Sequence, residues 1–276
     1  MLDTAPERTE APLSAARDRS HPIGSPITRR HFGAIAGGAL ASCAFGQACH
    51  RGSEAREADE GRLTARPRAN VTTSATGERP LGLDRGRDAI LHLPPKAATD
   101  PLPLFVLLHG AGGRGEGLLR RLGSAGDDAG VAVLAPDSRD STWDAIRGSF
   151  GDDVTFLNRA LERVFDSVAV DPARIAVGGF SDGATYALSL GLINGDLFHR
   201  VVAFSPGFVV DGPPHGQPRF FISHGTDDPI LPIGRASRVI VPSLQRLGYD
   251  VTFREFRGGH EIPADIARES MRWIAT

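Results

Sequence analysis

Ile175-Ala176-Val177-Gly178-Gly179-Phe180-Ser181-Asp182-Gly183-Ala184 is the stretch on which the reading of this chain turns. An apolar run, a serine framed by glycines and then a helical pattern over Ala184–Asn194 describe a strand, a sharp turn and a helix in succession. A serine at such a turn stands at the top of a sheet in strained backbone. Side chains two positions to either side would collide with the adjoining strand and helix, and glycine at 179 and 183 removes them. Ser181 is therefore a candidate nucleophile, and Ile175–Val177 a candidate buried strand.

Working outward, short apolar runs recur on both sides of this turn. Ala89–Leu93, Leu104–Leu108, Val131–Ala135, Val201–Phe204, Phe220–Ile222 and Val251–Phe253 read as strands. Leu104-Phe105-Val106-Leu107-Leu108 is apolar at every position, as a strand covered on both faces must be. Asp153–Val168 sets Val154, Leu157, Leu161, Val164 and Phe165 on one helical face, and Arg235–Leu247 and Pro263–Ile274 read as further helices. This alternation predicts an α/β domain over residues 81–276, with a mostly parallel central sheet and helices on both faces. Ligands in such sheets bind at the carboxyl ends of the strands, which is where partners for Ser181 must be found.

A nucleophilic serine needs a base, and the chain has nine histidines. His21, His31 and His50 precede the domain, His92 is in an edge strand, His199 precedes a strand and His215 sits in a Pro/Gly loop. His260 alone follows the last strand, on the turn Gly258-Gly259-His260, where an imidazole can reach Ser181. The supporting acid is sought after the sixth strand, in His224-Gly225-Thr226-Asp227-Asp228-Pro229. Pro229 keeps the residue before it out of helical geometry, which favours Asp228, with Asp227 as the alternative. An oxyanion site needs two backbone N–H donors. Asp182 offers one, and the loop His109-Gly110-Ala111-Gly112-Gly113 offers the other at Ala111.

Together, Leu108-His109-Gly110-Ala111-Gly112-Gly113, Gly179-Phe180-Ser181-Asp182-Gly183, His224-Gly225-Thr226-Asp227-Asp228-Pro229 and Gly259-His260 resemble the phospholipase/carboxylesterase branch of the α/β-hydrolases. That branch is similar to secreted polyhydroxybutyrate-depolymerase-like and feruloyl-esterase-like enzymes, and the likeness runs from about Leu81 to the C-terminus. It implies an α/β-hydrolase fold and a serine carboxylic-ester hydrolase using a Ser181–His260–Asp228 triad, an acyl-enzyme intermediate and neither cofactor nor metal. It selects Asp228 as the aspartate directly before proline, and Ala111 as the donor after the first loop glycine. One departure stands out. Many members carry Gln after the nucleophile, where this chain has Asp182, so no acyl preference is carried over. Two other readings share these residues: acyl transfer to an alcohol, and a non-catalytic surface module, against which a complete triad argues.

Only Ser205–Arg219 separates two strands at the point where many lipases insert a lid, and it is rich in Pro and Gly. No cap domain is expected, leaving a cleft open to short-chain, aromatic or polymeric esters. Trp143, Phe180, Phe208 and Ile230 are the expected apolar walls, with Trp143 lining an acyl or aromatic pocket.

Apolar residues are 41% of the 276 and charged residues 23%, the balance of a globular protein, and a net charge of −2 gives no reason to expect nucleic acid. The two cysteines, Cys43 and Cys49, precede the domain, which excludes a thiol nucleophile within it. Residues 1–49 read as an export region. Thr28-Arg29-Arg30-His31-Phe32 matches a twin-arginine signal, and the apolar run Gly33–Phe45 is shorter than the about 20 residues of a membrane span. Leu40-Ala41-Ser42-Cys43 resembles a lipobox, giving either a lipid anchor at Cys43 or release by cleavage near Ala48. The expected location is periplasmic, extracellular or on the outer side of a membrane. Residues 50–80, nearly devoid of apolar side chains, are expected to be a flexible tether.

Overall fold

The computed structural model describes residues 61–95 and 100–276. The expected twin-arginine signal and the anchor or cleavage site at Cys43 and Ala48 lie outside the described residues.

Strands buried on both faces need apolar side chains at every step, and Leu102–Leu108 (β3), Ala132–Pro136 (β4) and Arg200–Phe204 (β6) are buried throughout. They form the middle of an eight-stranded sheet with Gly77–Pro80 (β1), Ala89–Leu93 (β2), Val170–Phe180 (β5), Arg219–Gly225 (β7) and Val251–Phe256 (β8). The spatial order is β1-β2-β4-β3-β5-β6-β7-β8. Pairing is parallel from β4 through β8, while β1–β2 and β2–β4 are antiparallel. The chain therefore reverses its direction of travel across the sheet between β3 and β5, so the loops after these two strands open side by side at their carboxyl ends.

Helices cover both faces. On one side Asp152–Phe165 (α4), Asp182–Ile193 (α5) and Ser237–Arg246 (α6) bury Phe156, Leu157, Leu161, Leu188, Leu192 and Leu244. On the other, Gly115–Leu122 (α1), Ala125–Ala129 (α2) and Ala264–Ala275 (α7) bury Leu118, Leu119, Leu122, Ile266 and Met271. A short helix, Asp144–Arg147 (α3), lies in the loop after β4. Every residue of α5 after the first is buried. A helix apolar all round belongs inside, and this one carries the end of the Ser181 turn into the core. Among the described residues, the segment between β6 and β7 holds no helix and no cap covers the strand ends.

The tether expected over 50–80 is corrected within its described part. Leu63 and Ala65 are buried against α4 and α5, and β1 pairs with β2. Side-chain amides hold this arm: Asn194 Oδ1 accepts from the Leu63 N–H at 2.8 Å, and Asn158 Oδ1 accepts from Ala65 at 2.8 Å. The Arg62 guanidinium donates to both carboxylate oxygens of Asp196.

Candidate active site

The turn after β5 puts Ser181 at φ 58°, ψ −120°, a conformation an L-residue occupies only when its surroundings impose it. Here the imposition is backbone against backbone. A methyl group at Gly183 would run into the Leu108 carbonyl, and one at Gly179 would meet both Leu108 and Gly183. The Ser181 N–H donates to the Phe204 carbonyl at 3.0 Å and its carbonyl accepts from Thr185, which ties the turn to β6 and to α5. Ser181 itself is half-buried.

The loop after β3 approaches this turn closely, since a methyl at Gly110 would lie 3.2 Å from the Ser181 Cβ. His109 shapes that loop. It is buried, its Nε2 accepts from the Ser138 N–H at 2.9 Å, and its Nδ1 lies 2.7 Å from the Gly110 carbonyl. An acceptor at Nε2 leaves the proton on Nδ1, which donates to Gly110. Desolvation pushes the His109 pKa down, in keeping with a neutral ring. Ala111 at the loop tip is exposed. Among the described residues neither the Ala111 nor the Asp182 N–H donates to a protein acceptor, and the latter heads the first turn of α5.

The loops after β7 and β8 are zipped together beyond the ends of their strands. Thr226 N–H donates to the Phe256 carbonyl at 2.8 Å and Asp227 N–H to Gly258 at 3.0 Å. A side chain at Gly225 would strike the Gly258 and Gly259 carbonyls, so the two backbones can touch only because residue 225 is glycine. This zip brings the Asp228 carboxylate, without solvent exposure, to the imidazole of His260: Nδ1 donates to Oδ2 at 2.7 Å. The other oxygen of Asp228 accepts from the N–H groups of Ile230 and Leu231, each at 2.9 Å. Burial by itself would raise the pKa of Asp228, but the hydrogen bonds from His260, Leu231 and Ile230 outweigh it and hold the carboxyl below its usual range. Asp227 is exposed, and its contribution is the backbone bond to Gly258. The imidazole of His260 packs on the ring of Phe180, centroids 4.6 Å apart, so base and serine turn meet through the residue before Ser181. No hydrogen bond joins the Ser181 hydroxyl to the imidazole in this conformation, and such bonds commonly close only around bound substrate.

Residues 149–276 match the phospholipase/carboxylesterase family model. The chain has the α/β-hydrolase fold. NocK of Nocardia uniformis subsp. tsuyamanensis is 31% identical to it over 180 residues, 60% of this chain and 52% of that one. Feruloyl esterase C of Emericella nidulans is 27% identical over 157 residues, 54% of this chain and 57% of that one. The chain thus spans about half the length of the curated relatives it matches. Acetyl xylan esterase from Aspergillus awamori shares the fold at TM-score 0.58 and 16% identity, over 72% of this chain and 98% of that chain.

The apolar residues expected to wall the cleft part company. Phe180 is nearly buried against His260, Phe208 is half-buried in the segment after β6, and Ile230 is 64% exposed beside Asp228. Trp143 does not reach the cleft surface. It has no exposed area, stacks on Tyr186 at 5.2 Å, and donates its indole N–H to the His109 carbonyl at 2.8 Å. A tryptophan at the mouth of a long loop reads as surface, yet here an inward acceptor for its N–H draws it beneath the β3 loop. Two features escaped the reading of the sequence. Thr142 donates to the Asp182 carboxylate at 2.7 Å, and His224 lies buried against Asp228. Only His224 had a visible signal, its place at the head of the Asp228 motif.

Proposed function

We propose that this α/β-hydrolase is a serine carboxylesterase that cleaves short-chain, aromatic or polymeric esters through an acyl-enzyme. The observation that carries the reading is the 2.7 Å bond from His260 to a fully buried Asp228, on loops zipped beside the strained Ser181 turn. In the proposed cycle the Ser181 hydroxyl attacks the ester carbonyl while His260 Nε2 takes its proton. Charge developing on the carbonyl oxygen meets the N–H groups of Ala111 and Asp182. The imidazolium returns the proton to the leaving alkoxide, and the released alcohol departs. Water, deprotonated by the same imidazole, then attacks the acyl-serine and frees the acid. Asp228 holds the imidazole in the Nδ1–H tautomer and balances its transient charge. The names of feruloyl esterase C and acetyl xylan esterase support aromatic and carbohydrate-borne esters as the substrates to try first. The absence of a cap over the described strand ends supports bulky ones. Export through the Arg29-Arg30 signal, with anchoring at Cys43 or release near Ala48, belongs to the same proposal.

The test is turnover of p-nitrophenyl acetate, p-nitrophenyl butyrate and a feruloyl ester by the chain and its Ser181→Ala variant. Ser181→Ala is expected to lose all measurable rate, and Asp228→Asn about 10³-fold or more in kcat through the wrong imidazole tautomer. Equal rates from wild type and Ser181→Ala would end the proposal.

A further inference from the structure

The proposed acid has a second imidazole at its back. His224, in β7, is completely buried, and its Nε2 lies 2.7 Å from the Leu231 carbonyl and 3.3 Å from Oδ2 of Asp228. Its Nδ1 lies 2.8 Å from the hydroxyl of Ser237, the first residue of α6, which is also buried. These partners fix every hydrogen. The Leu231 carbonyl and the Asp228 carboxylate can only accept, so Nε2 carries the proton. The Nδ1 lone pair then faces Ser237, whose hydroxyl must donate to it. Desolvation pulls the His224 pKa down, against the pull of the Leu231 carbonyl and of Asp228, which suits an uncharged ring.

From this geometry we infer that His224, locked by Ser237, is a positioning residue that aims the Asp228 carboxylate at His260. The inference rests on the esterase reading above. Residues 228–231 form a tight turn closed from within, since Asp228 Oδ1 takes the N–H groups of Ile230 and Leu231. A turn held only by its own carboxylate can rotate as a unit. His224 pins the far end of the turn through the Leu231 carbonyl, and its Nε2 also lies 3.3 Å from Oδ2, the oxygen that His260 uses. The carboxylate is thus held on one edge by two amides and on the other by His260, with the His224 ring against it. Charged and titratable groups facing His224 are Asp228 and His260 from the loops after β7 and β8, and Glu255 on β8, itself paired with Arg238 of α6.

The test compares wild type, Ser181→Ala, His224→Phe, His224→Gln and Ser237→Ala. Each is assayed for kcat and KM per site titrated with a fluorophosphonate, for the pH profile of kcat/KM, and for Tm. His224→Phe is expected to lower kcat about 10- to 100-fold at nearly constant KM, the scale for removing an outer partner of a reacting group. It should also move the acid limb of the profile to lower pH, because a misaligned carboxylate stabilises the imidazolium less. His224→Gln, whose amide can still donate to the Leu231 carbonyl, should recover most of kcat. Ser237→Ala removes only a hydroxyl and serves if His224→Phe does not fold. It should shift kcat and the acid limb in the same directions by a smaller amount. A fall in Tm with kcat per titrated site and the acid limb unmoved in the folded variants would overturn the inference and leave His224 a packing residue. Wild-type turnover lost in Ser181→Ala upholds the esterase reading whatever His224 does. Equal rates in those two proteins overturn both.

Discussion

Asp182 follows the candidate nucleophile directly, and the Thr142 hydroxyl, reaching in from the loop after β4, holds its Oδ2 at 2.7 Å. A carboxylate tethered in this way is a fixed negative charge one residue from the proposed nucleophile, unlike a mobile surface aspartate that water would screen. Two like charges 4 Å apart repel by about 1 kcal/mol in water and about 4 kcal/mol at the reduced dielectric of a protein cleft. Esters whose acyl chain ends in a carboxylate should therefore be poor substrates. Asp182→Asn keeps the backbone N–H and can still accept from Thr142, so it removes the charge while preserving the shape. It is expected to raise kcat/KM for p-nitrophenyl hemisuccinate about tenfold relative to p-nitrophenyl butyrate. Added salt should favour the anionic ester in wild type and make little difference in the variant. An unchanged ratio of the two esters would show that the carboxylate faces away from the acyl group. This residue was legible in the sequence as a departure from the glutamine of many relatives. Its fixed orientation was not, because Thr142 lies forty residues upstream and nothing local links the pair.

The stretch between β4 and α4 shows why elements were easier to read than their supports. The apolar face of α4 was visible at helical spacing, and the helix is there, beginning nine residues after Trp143 and following α3. Missing from the reading was the inward carboxylate at its start. Asp153 is buried, and its two oxygens accept from the N–H groups of Arg139, at 2.6 Å, and Asp144, at 2.7 Å. Asp144 in turn accepts from Gly151, Asp153 and the Tyr186 hydroxyl. An aspartate in the first turn of an amphipathic helix reads as a solvated cap, and only the folded loop supplies its amide donors. Burial drives the pKa of Asp153 up to about 6, although both amide bonds pull it down. A carboxyl whose folded pKa exceeds its unfolded one holds its proton better when folded. Its contribution to stability is therefore fully present below about pH 4 and is lost as pH rises through about 6, on the order of 3 kcal/mol across that window. Asp153→Asn cannot titrate and should lack that slope. Urea midpoints for both proteins at about pH 4.5 and pH 7.5 isolate the effect, because all other groups cancel in the difference. Wild type should lose ground to the variant as pH rises. A constant gap would mean that the carboxyl is already charged at the lower pH.

Across the whole molecule, the seven strands from Ala89 onward and the site loops were readable because each rests on a local signal: an apolar run, or glycines where backbones touch. The arm at Gly61–Ala65 was not. It offers only Leu63 and Ala65 to the core, too few for any periodicity, and most of its attachment is backbone bonded to side chains more than ninety residues away. Asn194 is the hub. Its carbonyl takes the Leu63 N–H, and its amide donates to Gly61 at 2.7 Å and to Leu190 at 3.0 Å. The arm and the end of α5 should consequently form one cooperative unit. Leu63→Ala is expected to cost about 2–4 kcal/mol as a core truncation. Asn194→Ala should cost about 2–3 kcal/mol by stranding the Leu63 N–H and Gly61 carbonyl. If the arm detaches once either anchor is lost, the second substitution has little left to remove. The double variant should then lose markedly less than the sum of the singles, by 1 kcal/mol or more. Amide exchange reports the same event directly: the Leu63 and Ala65 N–H groups should lose protection in Asn194→Ala while the β5 and β6 amides keep theirs. Strict additivity, with arm amides still protected in the single variants, would show instead that each anchor holds the arm independently of the other.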